Sequence, residues 1–307
     1  MFSTEGVKSI GAAFGQAIKG KAPTASILKA FHCLIACLFR PRQTTCLLTR
    51  WQKGSLGICL ALTWLSLGQV ARAADESRAR EIVDRAARLF VSQSCIATVQ
   101  MQITKADWQR TISMQIWSLG ESKILVRIRQ PQEDAGTAIL KVNNKTWIYL
   151  PKANRTVEMP TSMMATPWMG SDFTLNDLVN QRRLTDDYVI ATSFEGQRDG
   201  VAVSEYTLTP KPAAAVVWGK ITLEVRQADL MPLWQRYYDE DGKPVRELSF
   251  SDYKIVSTSS RFGRLVPTRL VMRPLGQTAE QTTITYENIV FDAPISEETF
   301  SLGNLKP

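Results

Sequence analysis

From residue 97 onward, apolar and polar side chains alternate with a period of two through most of the chain, and this limits the fold more than any other feature. Ala97, Val99, Met101 and Ile103 alternate with Thr98, Gln100, Gln102 and Thr104, as in a strand with one buried face and one wet face. The pattern returns at Ile112, Met114 and Ile116, at Ile124, Val126 and Ile128, at Ala138, Leu140 and Val142, and at Trp147 and Tyr149. Turn residues separate these runs at Leu119-Gly120-Glu121, Pro131 and Asn143-Asn144. Further strands are predicted near 187–194, 201–209, 219–227, 231–239, 244–253, 265–273 and 281–290, with hairpin turns at Gly196 to Gly200 and at Asp239-Glu240-Asp241-Gly242. An antiparallel sheet of about a dozen strands tends to curl or close rather than stay flat.

Helices are few. Asp75 is placed to cap one over 76–93, with Ala79, Ile82, Val83, Ala86, Leu89 and Phe90 at helical spacing. A short one is predicted from Phe173 to Gln181, with Leu175, Leu178 and Val179 on one side, and Ser296 caps a last turn through Phe300. The expected class is mainly β (α+β): one curled antiparallel sheet whose helices cover its hollow side.

The formal charge of +8 resides entirely in residues 1–73, which hold nine Lys and Arg and one acid; residues 74–307 hold 28 basic and 28 acidic side chains. A neutral body has no field to gather phosphates, so nucleic acid is excluded as a partner class. Arg50 and Lys53 precede a mostly apolar stretch from Gly54 to Leu67, and Ala71-Arg72-Ala73 follows. This is the grammar of a secretory signal, with cleavage after Ala73 and a single domain over 74–307. The stretch is shorter than the roughly 20 residues of a membrane span. Leu34-Ile35-Ala36-Cys37 is the alternative, a lipid-attachment signal at Cys37. The expected location is the periplasm.

Removing the leader removes Cys33, Cys37, Cys46 and Cys59, leaving Cys95 without a disulfide partner. It also removes His32, the only histidine. The mature chain then has no Ser-His or Cys-His pair and no His-ligated zinc. No enzyme activity, cofactor or metal is expected. A carboxylate glycosidase needs two convergent acids, and Asp172 and Asp177, five apart on the predicted helix, point in different directions.

Between the fifth strand and the short helix lies a connector rich in soft apolar side chains: Met159, Met163, Met164, Trp168 and Met169. Methionine is unbranched and adaptable, suited to surfaces that receive irregular apolar partners. Trp147-Ile148-Tyr149-Leu150-Pro151, then Arg155, Trp168-Met169-Gly170-Ser171-Asp172-Phe173 and Asp177-Leu178 form an ordered motif set. Leu233 through Tyr237-Tyr238-Asp239 and Gly242-Lys243 extend it. Over most of 74–307 the chain thereby resembles the LolA-like outer-membrane lipoprotein-sorting proteins.

The resemblance implies a half-open β-barrel of LolA/LolB-like type whose concave apolar face accepts lipid or lipoprotein acyl chains, with no catalysis. A sixteen-carbon chain in water costs about 0.8 kcal/mol per methylene, roughly 12 kcal/mol in all, so a sheltered groove is strongly favoured. The expected cavity or lid residues are Trp147, Tyr149, Met163, Met164, Trp168, Met169 and Phe173, with Arg155 as a contact for a polar head. Core packing is the competing role for the aromatics and a surface ion pair for Arg155, while Ser171 and Asp172 are placed to cap the helix. The expected partners are the acyl chains and a membrane transporter or outer-membrane acceptor. The alternative function is a lipid-sensing or accessory interaction module for an envelope exporter or regulator.

Overall fold

Cys95, Ala97, Val99, Met101 and Ile103 all lie on one side of the first strand, β1 (Ser94–Thr104), and all are buried, as the alternation requires. The computed structural model describes residues 74–179, 184–212, 214, 216–258, 263–277 and 279–306, all within one unit, Trp64–Pro307. The leader 1–73, with its export signal, Cys37 and His32, lies outside the described residues.

Twelve strands follow β1: β2 (Gln109–Leu119), β3 (Lys123–Gln130), β4 (Ala138–Val142), β5 (Lys145–Leu150), β6 (Arg155–Glu158), β7 (Tyr188–Arg198), β8 (Val201–Pro210), β9 (Lys220–Arg226), β10 (Pro232–Tyr238), β11 (Pro244–Val256), β12 (Arg264–Pro274) and β13 (Gln281–Phe291). They form one antiparallel sheet in the order β6-β5-β4-β3-β2-β1-β13-β12-β11-β10-β9-β8-β7. The first and last strands in sequence meet at its centre, Cys95 opposite Phe291 and Thr104 opposite Gln281, with a bulge at Thr98 and Val99. Each half then runs outward through hairpins. The β7–β8 turn places Asp199 and Gly200 at φ of 50° and 79°, the left-handed pair that a tight two-residue hairpin needs.

The sheet is not closed. Its edges are β6 and β7, and these are consecutive in sequence. The chain between them, residues 159–187, therefore runs from one edge of the sheet to the other.

Register sorts the side chains into two faces. The inner face carries Met101, Ile103, Met114, Ile128, Leu208, Leu223, Met272 and Ile284, which form one buried cluster. A helix over 74–87, α1, adds Ala79, Ile82, Val83 and Ala86. It is already helical at residue 74, so Asp75 is not its cap, and it ends at residue 87, short of the expected 93. Beyond that end Phe90 stacks on Tyr286 at 4.6 Å. Arg264 donates to the carbonyls of Arg88 (3.1 Å) and Val91 (2.7 Å), tying the segment that follows the helix to the sheet.

The outer face has two treatments. On β8 and β9, Glu205 and Glu224 stand directly opposite each other, and Arg198 bonds both carboxylates while the Trp234 indole donates to Glu224 at 2.8 Å. On β3, β4 and β5 part of the outer face is apolar instead. Leu125, Ala138, Leu140 and Tyr149 form a second buried cluster with Phe300 and Leu305 of the C-terminal segment. As expected, Ser296 caps the last turn, Glu297–Phe300, its hydroxyl accepting from the Glu298 amide. No helix among the described residues is long and apolar enough to cross a membrane.

Candidate functional site

The connector leaves β6 with the Met159 amide bonded to the Thr146 carbonyl at 2.8 Å and forms a single 3₁₀ turn, Thr161–Met163. It then folds back on itself. The Leu175 amide reaches the Thr166 carbonyl (3.2 Å), Asn176 reaches Met164 (2.8 Å) and Trp168 reaches Phe173 (2.9 Å). Met169 and Gly170 sit at φ of 52° and 77°, and this left-handed pair makes the reversal possible. The positive φ favours glycine at the second position, and a Cβ on Gly170 would crowd the Trp108 ring at 3.2 Å. The outcome is that Trp168 and Phe173, five residues apart, descend together into the inner core, both buried.

The helix predicted from Phe173 begins two residues later, as α2 (Leu175–Val179). Ser171 and Asp172 do not cap it. Thr174 does: its amide and hydroxyl donate to Asp177 Oδ2, each at 2.8 Å, while the Asp177 amide donates to Thr174 Oγ1 at 3.1 Å. This reciprocal arrangement is a capping box with Asp at its third helical position. The Ser171 hydroxyl instead bonds the main chain of Phe173 within the turn.

Asp172 and Asp177 each clasp the connector to the sheet. Asp172 Oδ1 receives the Lys105 ammonium at 2.6 Å and Oδ2 the Thr282 hydroxyl at 2.7 Å, while the Asp172 amide donates to Thr282 Oγ1 at 2.9 Å. Lys105 also bonds Glu280 at 2.7 Å. Burial disfavours that ammonium, but the hydrogen bonds and charges of Asp172 and Glu280 together hold its pKa above the ordinary value.

Asp177 receives the Arg246 guanidinium at both oxygens, 2.8 and 2.9 Å, and Arg246 also donates to the Asp172 carbonyl at 3.1 Å. Its guanidinium carbon lies 4.6 Å from the Trp218 ring and 4.5 Å from the Tyr237 ring. Burial opposes the Arg246 charge and Asp177 outweighs it, so the pKa is raised. Between the two clasps opens a pocket of about 320 Å³, lined by Lys105, Gly170, Asp172, Thr174, Val245 and Arg246 among others. Sequence reasoning did not single out Lys105 or Arg246. Arg246 does share the inward row of β11 with Leu248, and a charge on an apolar row requires a partner.

The expected site residues separate into three groups. Met164 and Met169 are half-buried against the inner core, where Trp168 and Phe173 are buried, and Met163 stays exposed on the connector. Trp147 and Tyr149 lie elsewhere: they face outward from β5 and pack with the C-terminal cluster, where the Tyr149 hydroxyl donates to Asn154 Oδ1 at 3.3 Å. The strand register turns Ile148 to the inner face instead, and the packing of Trp147 and Tyr149 is the role that competed with the cavity assignment. Arg155 is exposed on the edge strand β6 and does not line the pocket between the clasps. Beneath the connector the inner face carries buried apolar side chains, among them Met101, Ile103 and Leu208 at 0% exposure.

The curled, half-open antiparallel sheet is a fold that solved structures share. A DUF1329 family protein from Desulfovibrio piger superimposes with a TM-score of 0.67 at 21% identity, covering 76% of this chain and 99% of that one. A protein domain from Vibrio parahaemolyticus, named for outer membrane lipoprotein sorting, gives 0.62 at 23% identity over 75% and 97%. A LolA superfamily protein from Nitrosomonas europaea gives 0.61 at 18% identity over 74% and 98%. A comparison with curated proteins finds no match. A family model described as uncharacterized-protein-like matches residues 120–307, and the chain belongs to that family.

Proposed function

We propose that this is an exported periplasmic protein, cleaved after Ala73, whose single domain over 74–307 takes lipid or lipoprotein acyl chains beneath the connector and passes them on in outer-membrane lipoprotein or lipid sorting. One observation carries the reading: an apolar track that begins in solvent and ends in the core. Val157 of β6 is the register partner of Ile148, and Leu150 follows on the same face. Leu150, Val157 and Met163 are 43%, 39% and 46% exposed, while Ile148, Met159 and Met164 are half-buried against the inner cluster. A hydrocarbon chain laid on the exposed end sheds water at once and can advance as the connector lifts. Thioethers along the path adapt to irregular chains.

The connector's fastenings suit such a cycle. Its charged clasps at Asp172 and Asp177 hold it to the sheet at two points, while Trp168 and Phe173 supply the seal. The fold shared with a LolA superfamily protein supports the same reading. The test is displacement of an apolar fluorescent probe by fatty acids or by a lipopeptide. Displacement in the micromolar range is expected, and a protein that neither binds the probe nor releases it to lipid would contradict the proposal.

A second reading is favoured by the packing itself. With Trp168 and Phe173 of the connector buried in the inner cluster, the same fold can serve as a lipid-sensing or accessory module that binds an envelope exporter or regulator without carrying cargo. Stable retention of a membrane protein, with no net transfer of lipid between vesicles, distinguishes it.

A further inference from the structure

The exposed end of the apolar track is also the basic end of a hairpin. Leu150 closes β5, residues 151–154 turn the chain, and Arg155 opens β6 directly opposite Leu150, on the same face as Leu150 and Val157. Lys152 projects from the turn itself. Both cations are exposed, and neither is held in an ion pair among the described residues. The acids nearby are engaged elsewhere. Glu158 lies on the opposite face of β6, paired with Lys145 at 3.6 Å, and Glu133 and Asp134 of the β3–β4 loop both bind Arg110. The track from Leu150 to the contact of Met159 with Thr146 spans four residues of β5, roughly 13 Å at about 3.3 Å per residue.

Given the reading of this track as the entrance, we infer that its occupant is a monomeric single-chain amphiphile with an anionic head. The head is held by Arg155 and Lys152, and the tail runs over Leu150 and Val157 toward Ile148, Met159 and Met164. The guanidinium fork of Arg155 matches carboxylate or phosphate oxygens, and Lys152 adds a second charge at the same end. A neutral head would gain neither contact, and a cationic head would be repelled. One strip a single strand pair wide fits one chain, not the surface of a bilayer.

The experiment uses the mature full chain and three twelve-carbon competitors, laurate, dodecanol and dodecyltrimethylammonium, displacing a bound apolar fluorophore at low salt. Laurate is expected to compete roughly fivefold better than dodecanol, the scale of an exposed ion pair, with dodecyltrimethylammonium weakest. The preference should fade at 1 M salt, where charges are screened within about 3 Å. Arg155→Glu with Lys152→Glu should invert the order, and the uncharged Val157→Asn should weaken all three alike.

Equal displacement by laurate and dodecanol, or a laurate preference untouched by the charge reversal, would overturn the head-group assignment while leaving the apolar track intact. Binding to anionic vesicles that laurate cannot reverse would overturn the monomer assignment in favour of a membrane surface. Failure of every chain to displace the fluorophore would remove the entrance itself, and with it the function proposed above.

Discussion

Arg246 and Asp177 meet fork to fork, Nη1 to Oδ2 at 2.8 Å and Nη2 to Oδ1 at 2.9 Å, across 69 residues of sequence. The guanidinium is 7% exposed and the carboxylate 20%. Removing one member of such a pair strands the other in a poorly hydrated place, which costs more than the pair contributes when intact. Arg246→Met is expected to destabilise the fold by about 3 kcal/mol. Asp177→Asn should cost as much, about 3 kcal/mol, because it leaves the buried guanidinium without its counter-charge. The double variant should fall short of the sum by about 1–2 kcal/mol, read as a shift in the urea midpoint. Strict additivity would contradict the clasp.

The Lys105–Asp172 clasp ties down the connector rather than the sheet, so its loss should be local. In Lys105→Met, backbone amides over 166–178 are expected to exchange with solvent about tenfold faster, while those of β1 and β13 keep their protection. Uniform acceleration across both would place Lys105 in the global fold instead.

High pH should unfold this protein through its buried acids. Burial raises the Cys95 thiol from 9.0 to about 11, with Arg264 acting against the shift and Asp292 adding to it. Burial likewise raises the Tyr188 and Tyr253 phenols from 10.0 to about 12. A raised pKa means that the folded state holds its proton where the unfolded chain has lost it. This contribution is complete below about pH 9 and is lost as pH climbs to about 12, and the raised Lys105 pKa acts in the same direction. Stability should therefore begin to fall near pH 9, and Cys95→Ala should delay the onset toward pH 10, where the tyrosines take over. Alkylation of Cys95 at about pH 8 should track unfolding.

The connector and the outer face of β5 give a direct comparison. Met164→Asp, on the connector, should lower lipid uptake several-fold with the circular dichroism of the sheet unchanged. Trp147→Ala, on the outer face under the C-terminal segment, should cost about 2 kcal/mol of stability and leave uptake intact. The reverse outcome would move the lipid path to the outer face.

What was legible in the sequence follows from where its signals are local. Alternation located every strand except β6, whose four residues Arg155, Thr156, Val157 and Glu158 are all exposed and so carry no inside-outside pattern. Ser296 declared its cap because cap and helix are neighbours. The direction of Trp147 and Tyr149 was hidden because Ile148 and Leu150 are bulky too, so neither face of β5 looked polar. Asp172 passed for a helix cap because its true partners, Lys105 and Thr282, lie 67 and 110 residues away. The burial of Trp168 and Phe173 in the inner core was equally unreadable, since a sequence lists the apolar residues of a connector without saying which of them reach the sheet.

Whether the connector lifts to admit a hydrocarbon tail is decided by isolating the protein from bacterial envelopes under native conditions and weighing it by mass spectrometry before and after gentle lipid extraction. A lipid adduct near one per chain is expected, disappearing on extraction and sharply reduced in Met164→Asp. A chain that leaves the envelope at its bare polypeptide mass, and gains nothing when offered lipid afterwards, would show that the connector stays shut and that no tail enters.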